Sequence, residues 1–356
     1  MNILYLNNSM HLGGDNKCIL KLCKELKKDN KIIVASMGGI LESELNNLGI
    51  MHYKIHDVVN KKPSIIISNV YKLIKIVKDE NIDIIHSHHR MSALTAKIVS
   101  KFVKVKVIHT QHLCIEDKFR LTKFALNSIK IITVSESAKK ILQTKSKLNG
   151  NRITTIYNTI ETENDNKVVD KRLINLKDQG YFIIAQVSRI IDYKGVYDFV
   201  DIAKKTVIEN DNIRFVLIGD GPEKENLEKY IKKERLQDFI ILLGSKDNVI
   251  EHLKYIDLLL LCSYIEGLPL APIEAFSQGI PVIATNINGT NEEIVEGMNG
   301  HLVNVKDIDQ FSNRILELYK DREKLIEMKI NSKNIFNKYF SSDEYISEHI
   351  KIYCKG

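Results

Sequence analysis

Two glutamates, Glu266 and Glu274, bracket a Gly/Pro-bearing loop and the apolar start of a helix pattern, EGLPLAPIE. Carboxylates accept hydrogen bonds from vicinal hydroxyls, and free loop N–H groups at a helix start attract an anion. Earlier in the chain, Arg189 and Lys194 straddle a turn that ends in Gly195. Arginine can chelate two oxygens of a diphosphate, and lysine adds a mobile point charge, so the pair forms a candidate phosphate clamp. An anion site beside a hydroxyl site suits a ligand that joins a diphosphate to a sugar. Taken singly, each feature also has a plainer reading: two solvated cations, a helix-capping Glu266 and a solvated Glu274.

Weaker signals accompany these. His11-Leu12-Gly13-Gly14-Asp15 follows the first apolar run, and glycines at a strand-to-helix turn let backbone approach a phosphate. Gly219-Asp220-Gly221-Pro222-Glu223 is a second such turn, with Pro222 suited to the first turn of a helix. Neither matches G-x-G-x-x-G, which counts against a dinucleotide site. Histidines cluster as His86-Ser87-His88-His89 and His109-Thr110-Gln111-His112. Without helical i,i+4 spacing or a companion carboxylate or cysteine, they suit a polar wall that binds hydroxyls better than a metal site. Asp307-Ile-Asp309 has a D-x-D form but lies in a polar stretch, as solvated surface does.

These residues need elements that place them at strand ends. In the first half, short β-branched runs at Asn2–Leu6, Lys31–Ser36, Ile82–His86, Lys106–His109, Ile129–Val134 and Ile153–Ile156 alternate with helix-patterned stretches. Alternation resumes from Phe182–Val187 through Ile213–Ile218, Ile240–Leu243, Leu258–Cys262 and Pro281–Ala284. The expected fold class is α/β: two Rossmann-like, doubly wound parallel sheets. The polar, acidic stretch from Glu161 to Gly180 marks the boundary, giving domains at 1–160 and 161–335, with 336–356 as a C-terminal segment. Ligands of such sheets bind beyond the carboxyl ends of strands, where these motifs fall.

Composition agrees with a folded chain of two domains: 356 residues, 44% apolar and 27% charged. Five cysteines without regular spacing argue against a disulfide framework or a zinc site, and a reducing compartment is expected. Nothing resembles a signal peptide or a membrane span, so a cytoplasmic location is expected. Residues 1–160 hold 26 Lys+Arg against 12 Asp+Glu, and the remainder holds 26 against 33. A basic first half favours an anionic partner, although lysine-rich solvated faces would give the same count. The helix pattern at Ile67–Lys78 sets Val70, Leu73, Ile74 and Val77 on one face and Lys72, Lys75 and Lys78 elsewhere, which suits either the core or an anionic membrane surface.

The order and spacing of these motifs resemble the family 4 retaining glycosyltransferases of the GT-B class, across essentially the whole chain. The matching features are E-x7-E (Glu266, Glu274), R-x4-K (Arg189, Lys194), GDGPE at 219–223, the glycine turn and the run ending GIPVIAT. The resemblance implies two domains facing a central cleft and transfer of a sugar from a nucleotide-sugar donor, most often a UDP-sugar, with retained anomeric configuration. It gives Arg189 and Lys194 the departing diphosphate, and Glu266 the sugar hydroxyls. Gly267, Leu268 and Pro269 would lie against sugar and phosphate, and Glu274 would hold the ribose. Gly14 and Gly221 would approach the donor through backbone, and His112 of the T-x-H pattern would contact the donor sugar, with His109 as the alternative. No metal or cofactor is implied. The acceptor would be a saccharide or lipid-linked saccharide bound by the first domain, in cell-surface polysaccharide or glycolipid assembly, with peripheral membrane association and no nucleic acid partner. The alternatives are a nucleotide-sugar epimerase of the same fold and a noncatalytic nucleotide- or glycan-binding protein.

Overall fold

The computed structural model describes residues 1–11, 13–60, 62–114, 117–161 and 168–355. Part of the stretch expected to join the domains, 162–167, lies outside the described residues, as does Leu12 of the glycine turn. By their contacts, residues form two units: Met1–Ile160 with Ser342–Gly356, and Glu161–Ser341.

The first unit is built on β1 (Asn2–Leu6), β2 (Lys31–Ser36), β3 (Met51–Lys54), β4 (Ile84–Ser87), β5 (Lys106–Gln111), β6 (Lys130–Thr133) and β7 (Ile153–Thr155). They pair in parallel in the order β3-β2-β1-β4-β5-β6-β7. Both sheet faces are covered: along β1, Leu4 and Leu6 join one apolar cluster while Ile3 and Tyr5 join the other. That burial on both sides is why its strands are near-continuous apolar runs. β3 departs from this rule. Its sequence, Met-His-Tyr-Lys, carries no buried residue, and it was not among the expected strands.

The second unit contains β8 (Phe182–Val187), β9 (Ile213–Ile218), β10 (Ile240–Gly244), β11 (Leu258–Leu261), β12 (Val282–Thr285) and β13 (Gly300–Val303), ordered β10-β9-β8-β11-β12-β13 and again parallel. In each sheet the order reverses once, between β1 and β4 and between β8 and β11. At such switch points the flanking loops diverge and leave room for a ligand. The stretch expected to be an irregular boundary contains a helix, Lys171–Asp178, which Asp170 caps by accepting from the Arg172 N–H.

The C-terminal segment expected from residue 336 begins later. The helix Arg322–Tyr339 runs through that position and packs on the helix Leu270–Ser277, because Met328 and Phe336 are buried on its inner face. Only the next helix, Ser342–Cys354, belongs to the first unit, where Tyr345, Ile352 and Tyr353 enter the apolar cluster around Tyr5. The helix Pro63–Asp79 buries Leu73, Ile76 and Val77 and leaves Ile67 and Tyr71 exposed.

Candidate active site

Lys194 of the candidate clamp meets Glu266 at the switch point of the second sheet. β8 and β11 are neighbours, and Arg189 and Lys194 follow the first while Glu266 follows the second. The Lys194 Nζ donates to Glu266 Oε1 at 2.6 Å. Glu266 is only 5% exposed and Lys194 19%, so this is a largely buried ion pair and not a pair of solvated surface charges.

Several contacts hold that geometry. The loop after β8 closes in a short 3-10 turn, Asp192–Lys194, and Gly195 then adopts φ +64 to start the helix Val196–Glu209. A Cβ at Gly195 would lie 2.1 Å from the Cys262 carbonyl oxygen, so the close approach of the two loops requires glycine. The Tyr264 N–H donates to the Tyr193 carbonyl at 2.8 Å, and the Gln186 side chain donates to the Lys194 carbonyl at 2.9 Å. Arg189, by contrast, is exposed.

The GDGPE turn supports the same loop. The Ile190 N–H donates to the Asp220 carbonyl at 3.0 Å, and the Glu223 N–H to the Ile190 carbonyl at 3.1 Å. A Cβ at Gly221 would fall 2.4 Å from the Ile190 oxygen. The Gly221 N–H is already engaged by Asp220 Oδ1 at 2.7 Å.

Gly267, Leu268 and Pro269 lead into the helix Leu270–Ser277, with Pro269 at its N-cap. Glu274 lies in that helix, 5% exposed. The plainer reading, a solvated Glu274, is therefore not what the fold provides. A third glutamate comes with them: Glu293 is 1% exposed, and neither carboxylate oxygen has a hydrogen-bond partner. Burial, with the charge of Glu266 nearby, pushes its carboxyl well above the usual range. Asn-Glu-Glu in a turn has the composition of surface, so this burial was not expected.

In the first unit the histidines divide by depth. His86 is fully buried, with Nδ1 2.7 Å from the Tyr353 hydroxyl and Nε2 2.7 Å from Thr110 Oγ1. His109 is 1% exposed and donates from Nδ1 to the Ser87 carbonyl at 3.1 Å. Both lie inside the sheet layer rather than on a polar wall. His88 and His112 stand just past the ends of β4 and β5, their rings stacked at 5.2 Å with Nδ1 of His88 2.9 Å from Nε2 of His112. Burial holds His86 and His88 well below the ordinary histidine range and His109 at about 3, so these rings are neutral at neutral pH. His112 is also lowered by burial, against an opposing pull from Asp15. That aspartate adjoins Gly14, the first residue of the helix Gly14–Leu26, and accepts from Asn7 Nδ2 at 3.0 Å.

Among the described residues, no group of three His, Cys, Asp or Glu side chains is placed to hold a metal, and no helix is long and apolar enough to cross a membrane. Asp307 caps the helix Ile308–Lys320, and Asp309 pairs with Lys205.

Comparison with known proteins agrees with this arrangement. Residues 170–335 match the family model Glycosyl transferases group 1, and residues 12–164 match Glycosyltransferase Family 4. The chain is 29% identical to the N-acetyl-alpha-D-glucosaminyl L-malate synthase of Bacillus anthracis, over 79% of this chain and 77% of that one. It is also 29% identical to the UDP-Gal:alpha-D-GlcNAc-diphosphoundecaprenol alpha-1,3-galactosyltransferase of Escherichia coli, over 80% and 77%. Among solved structures, that of Anabaena HepE in complex with UDP superposes with a TM-score of 0.86 over 99% of both chains at 19% identity. With two parallel α/β units in the GT-B fold and both family models matched in order, the chain belongs to the family 4, group 1 glycosyltransferases.

Proposed function

We propose that this glycosyltransferase moves a sugar from a UDP-sugar to a saccharide or lipid-linked saccharide with retention of configuration and without a divalent metal. The observation that carries the reading is the Lys194–Glu266 pair at the carboxyl ends of adjacent strands, with Arg189 at the end of β8. In it, Arg189 and Lys194 take the charge that builds on the diphosphate as the bond from the anomeric carbon breaks. Glu266 binds sugar hydroxyls, Gly267, Leu268 and Pro269 lie along sugar and phosphate, and Glu274 holds the ribose. In the first unit, Gly14 approaches the donor through backbone, and His112 contacts the donor sugar.

Glu266 is bound to Lys194 and does not stand free as a nucleophile, which favours front-face attack over a covalent intermediate. The acceptor oxygen then forms its bond to the anomeric carbon on the face the diphosphate leaves, and a departing phosphate oxygen takes the acceptor's proton. Positioning and charge stabilisation supply the rate.

The name of the Escherichia coli relative specifies UDP-Gal and a diphosphoundecaprenol-linked acceptor, and HepE is also solved with UDP-glucose. Both support a uridine nucleotide, and the first supports a lipid-linked acceptor. Exposed Ile67 and Tyr71 on the same helix as exposed Lys75 and Lys78 support work at the anionic inner face of a membrane.

A thermal-shift panel of UDP-, GDP- and ADP-sugars tests the donor. Stabilisation by UDP-sugars alone is expected, and none by any of them refutes the assignment. NMR of the product's anomeric proton tests retention, and turnover in excess chelator tests metal independence.

A further inference from the structure

His88 lies beyond β4 with its backbone N–H on the Leu6 carbonyl at 3.0 Å, which ties it to β1. Its ring is 6% exposed and packed by Tyr5 at 5.8 Å and His86 at 4.4 Å. His86 is itself held by Tyr353 and Thr110. The ring has little freedom to turn.

Two neutral imidazoles whose nitrogens meet at 2.9 Å share one proton: one nitrogen donates and the other accepts. Nε2 of His88 is buried without any partner. If His88 carried its proton there, a buried N–H would have no acceptor. With the proton on Nδ1, only a lone pair is left unpaired, and unpaired buried donors are the rarer of the two defects.

We propose that His88 is a positioning residue whose Nδ1–H donates to His112 Nε2, fixing His112 as the tautomer that carries its proton on Nδ1 and offers that N–H to an oxygen of the sugar substrate. The inference rests on the reading of His112 as a sugar contact. His112 is thereby a pre-set donor and pays no tautomer change when substrate arrives. The common tautomer of a free neutral histidine, protonated on Nε2, would present a lone pair instead, which accepts from a hydroxyl but gives a sugar oxygen no donor.

The experiment is 15N NMR of the imidazole nitrogens in ligand-free, histidine-labelled protein, with resonances assigned by single substitutions. Wild type is expected to show a protonated Nδ1 and an unprotonated Nε2 on His112. His88→Phe keeps a ring in place but removes the donor, so His112 should revert toward the Nε2–H form. His88→Asn sets an amide near the Nδ1 position and should restore the wild-type pattern. With UDP-sugar and acceptor, His88→Phe should lower kcat by about 10- to 100-fold with KM little changed, and His88→Asn should recover most of it. An Nε2-protonated His112 in wild type, or one unmoved by His88→Phe, overturns the inference whatever the activity. If the tautomer behaves as described while His112→Ala keeps full turnover, the assignment of His112 to the sugar fails instead, and the proposed role of His88 falls with it.

Discussion

Replacing Lys194 with methionine keeps most of the side-chain volume and removes the charge that Glu266 faces. Glu266 is 5% exposed, so its carboxylate would be left buried with its cation gone. Breaking one side of a buried ion pair costs about 3–5 kcal/mol, and Lys194's own 19% exposure places this pair near 3 kcal/mol. For a unit of this size that is a fall in Tm of roughly 6–12 °C. Adding Glu266→Gln removes the stranded charge, so Lys194→Met/Glu266→Gln should regain most of the loss, and the cycle should be strongly non-additive. Urea denaturation of the ligand-free protein measures all four corners. UDP at about 100 times its Kd should add about 2.7 kcal/mol to wild type and much less to Lys194→Met. A loss under about 1 kcal/mol for Lys194→Met, or simple additivity in the double variant, would refute a buried, mutually dependent pair.

Arg189 is exposed, so Arg189→Ala should leave stability within about 0.5 kcal/mol of wild type while cutting kcat about 100-fold or more, as steady-state kinetics beside a melting curve would reveal. Gly195→Ala should cost more than about 2 kcal/mol in a denaturant titration, because alanine disfavours φ +64 and its Cβ would overlap the Cys262 carbonyl. Glu293 has a folded carboxyl pKa raised above its ordinary 4.5. The unfolded chain therefore gives up that proton first, and stability falls as pH rises from 4.5 toward the folded value, at up to about 1.4 kcal/mol per unit. Glu293→Gln removes this slope, so its Tm advantage over wild type should be larger at pH 8 than at pH 5; parallel curves would contradict the assignment. The protein should sediment with anionic vesicles and not with neutral ones at low salt, and Ile67→Ser/Tyr71→Ser should weaken the association.

The strands that carry the site were legible because β8, Phe-Ile-Ile-Ala-Gln-Val, and β11, Leu-Leu-Leu-Leu, are short and mostly apolar, and the positions of Arg189, Lys194 and Glu266 past such runs followed from them. β3 was missed for the converse reason: as an edge strand with no buried residue, it lacks any apolar signature. The adjacency of β8 and β11, which brings Lys194 to Glu266, is a property of strand order, and strand order has no local sequence signal. The histidines make the same point more sharply. His86, His88, His109 and His112 share one side chain, yet two are locked in the interior and two face each other beyond the strand ends, according to where β4 and β5 stop. Glu293 was illegible altogether, since its burial depends on how the turn at Thr290–Glu293 folds inward.

The helix Ser342–Cys354 completes the first unit from the far end of the chain, with Tyr353 joined to Tyr5 and His86. On a ribosome, everything from Met1 to Ile160 is therefore made long before the helix that closes its apolar cluster. At about 5–20 residues per second, the intervening stretch takes roughly 10–40 s to synthesise. The second unit, continuous from Glu161 to Ser341, is made during that interval. The first unit therefore cannot close before the second has been made, and the nascent first unit spends those seconds with the surface around Tyr5 uncovered, where a holding chaperone would find it.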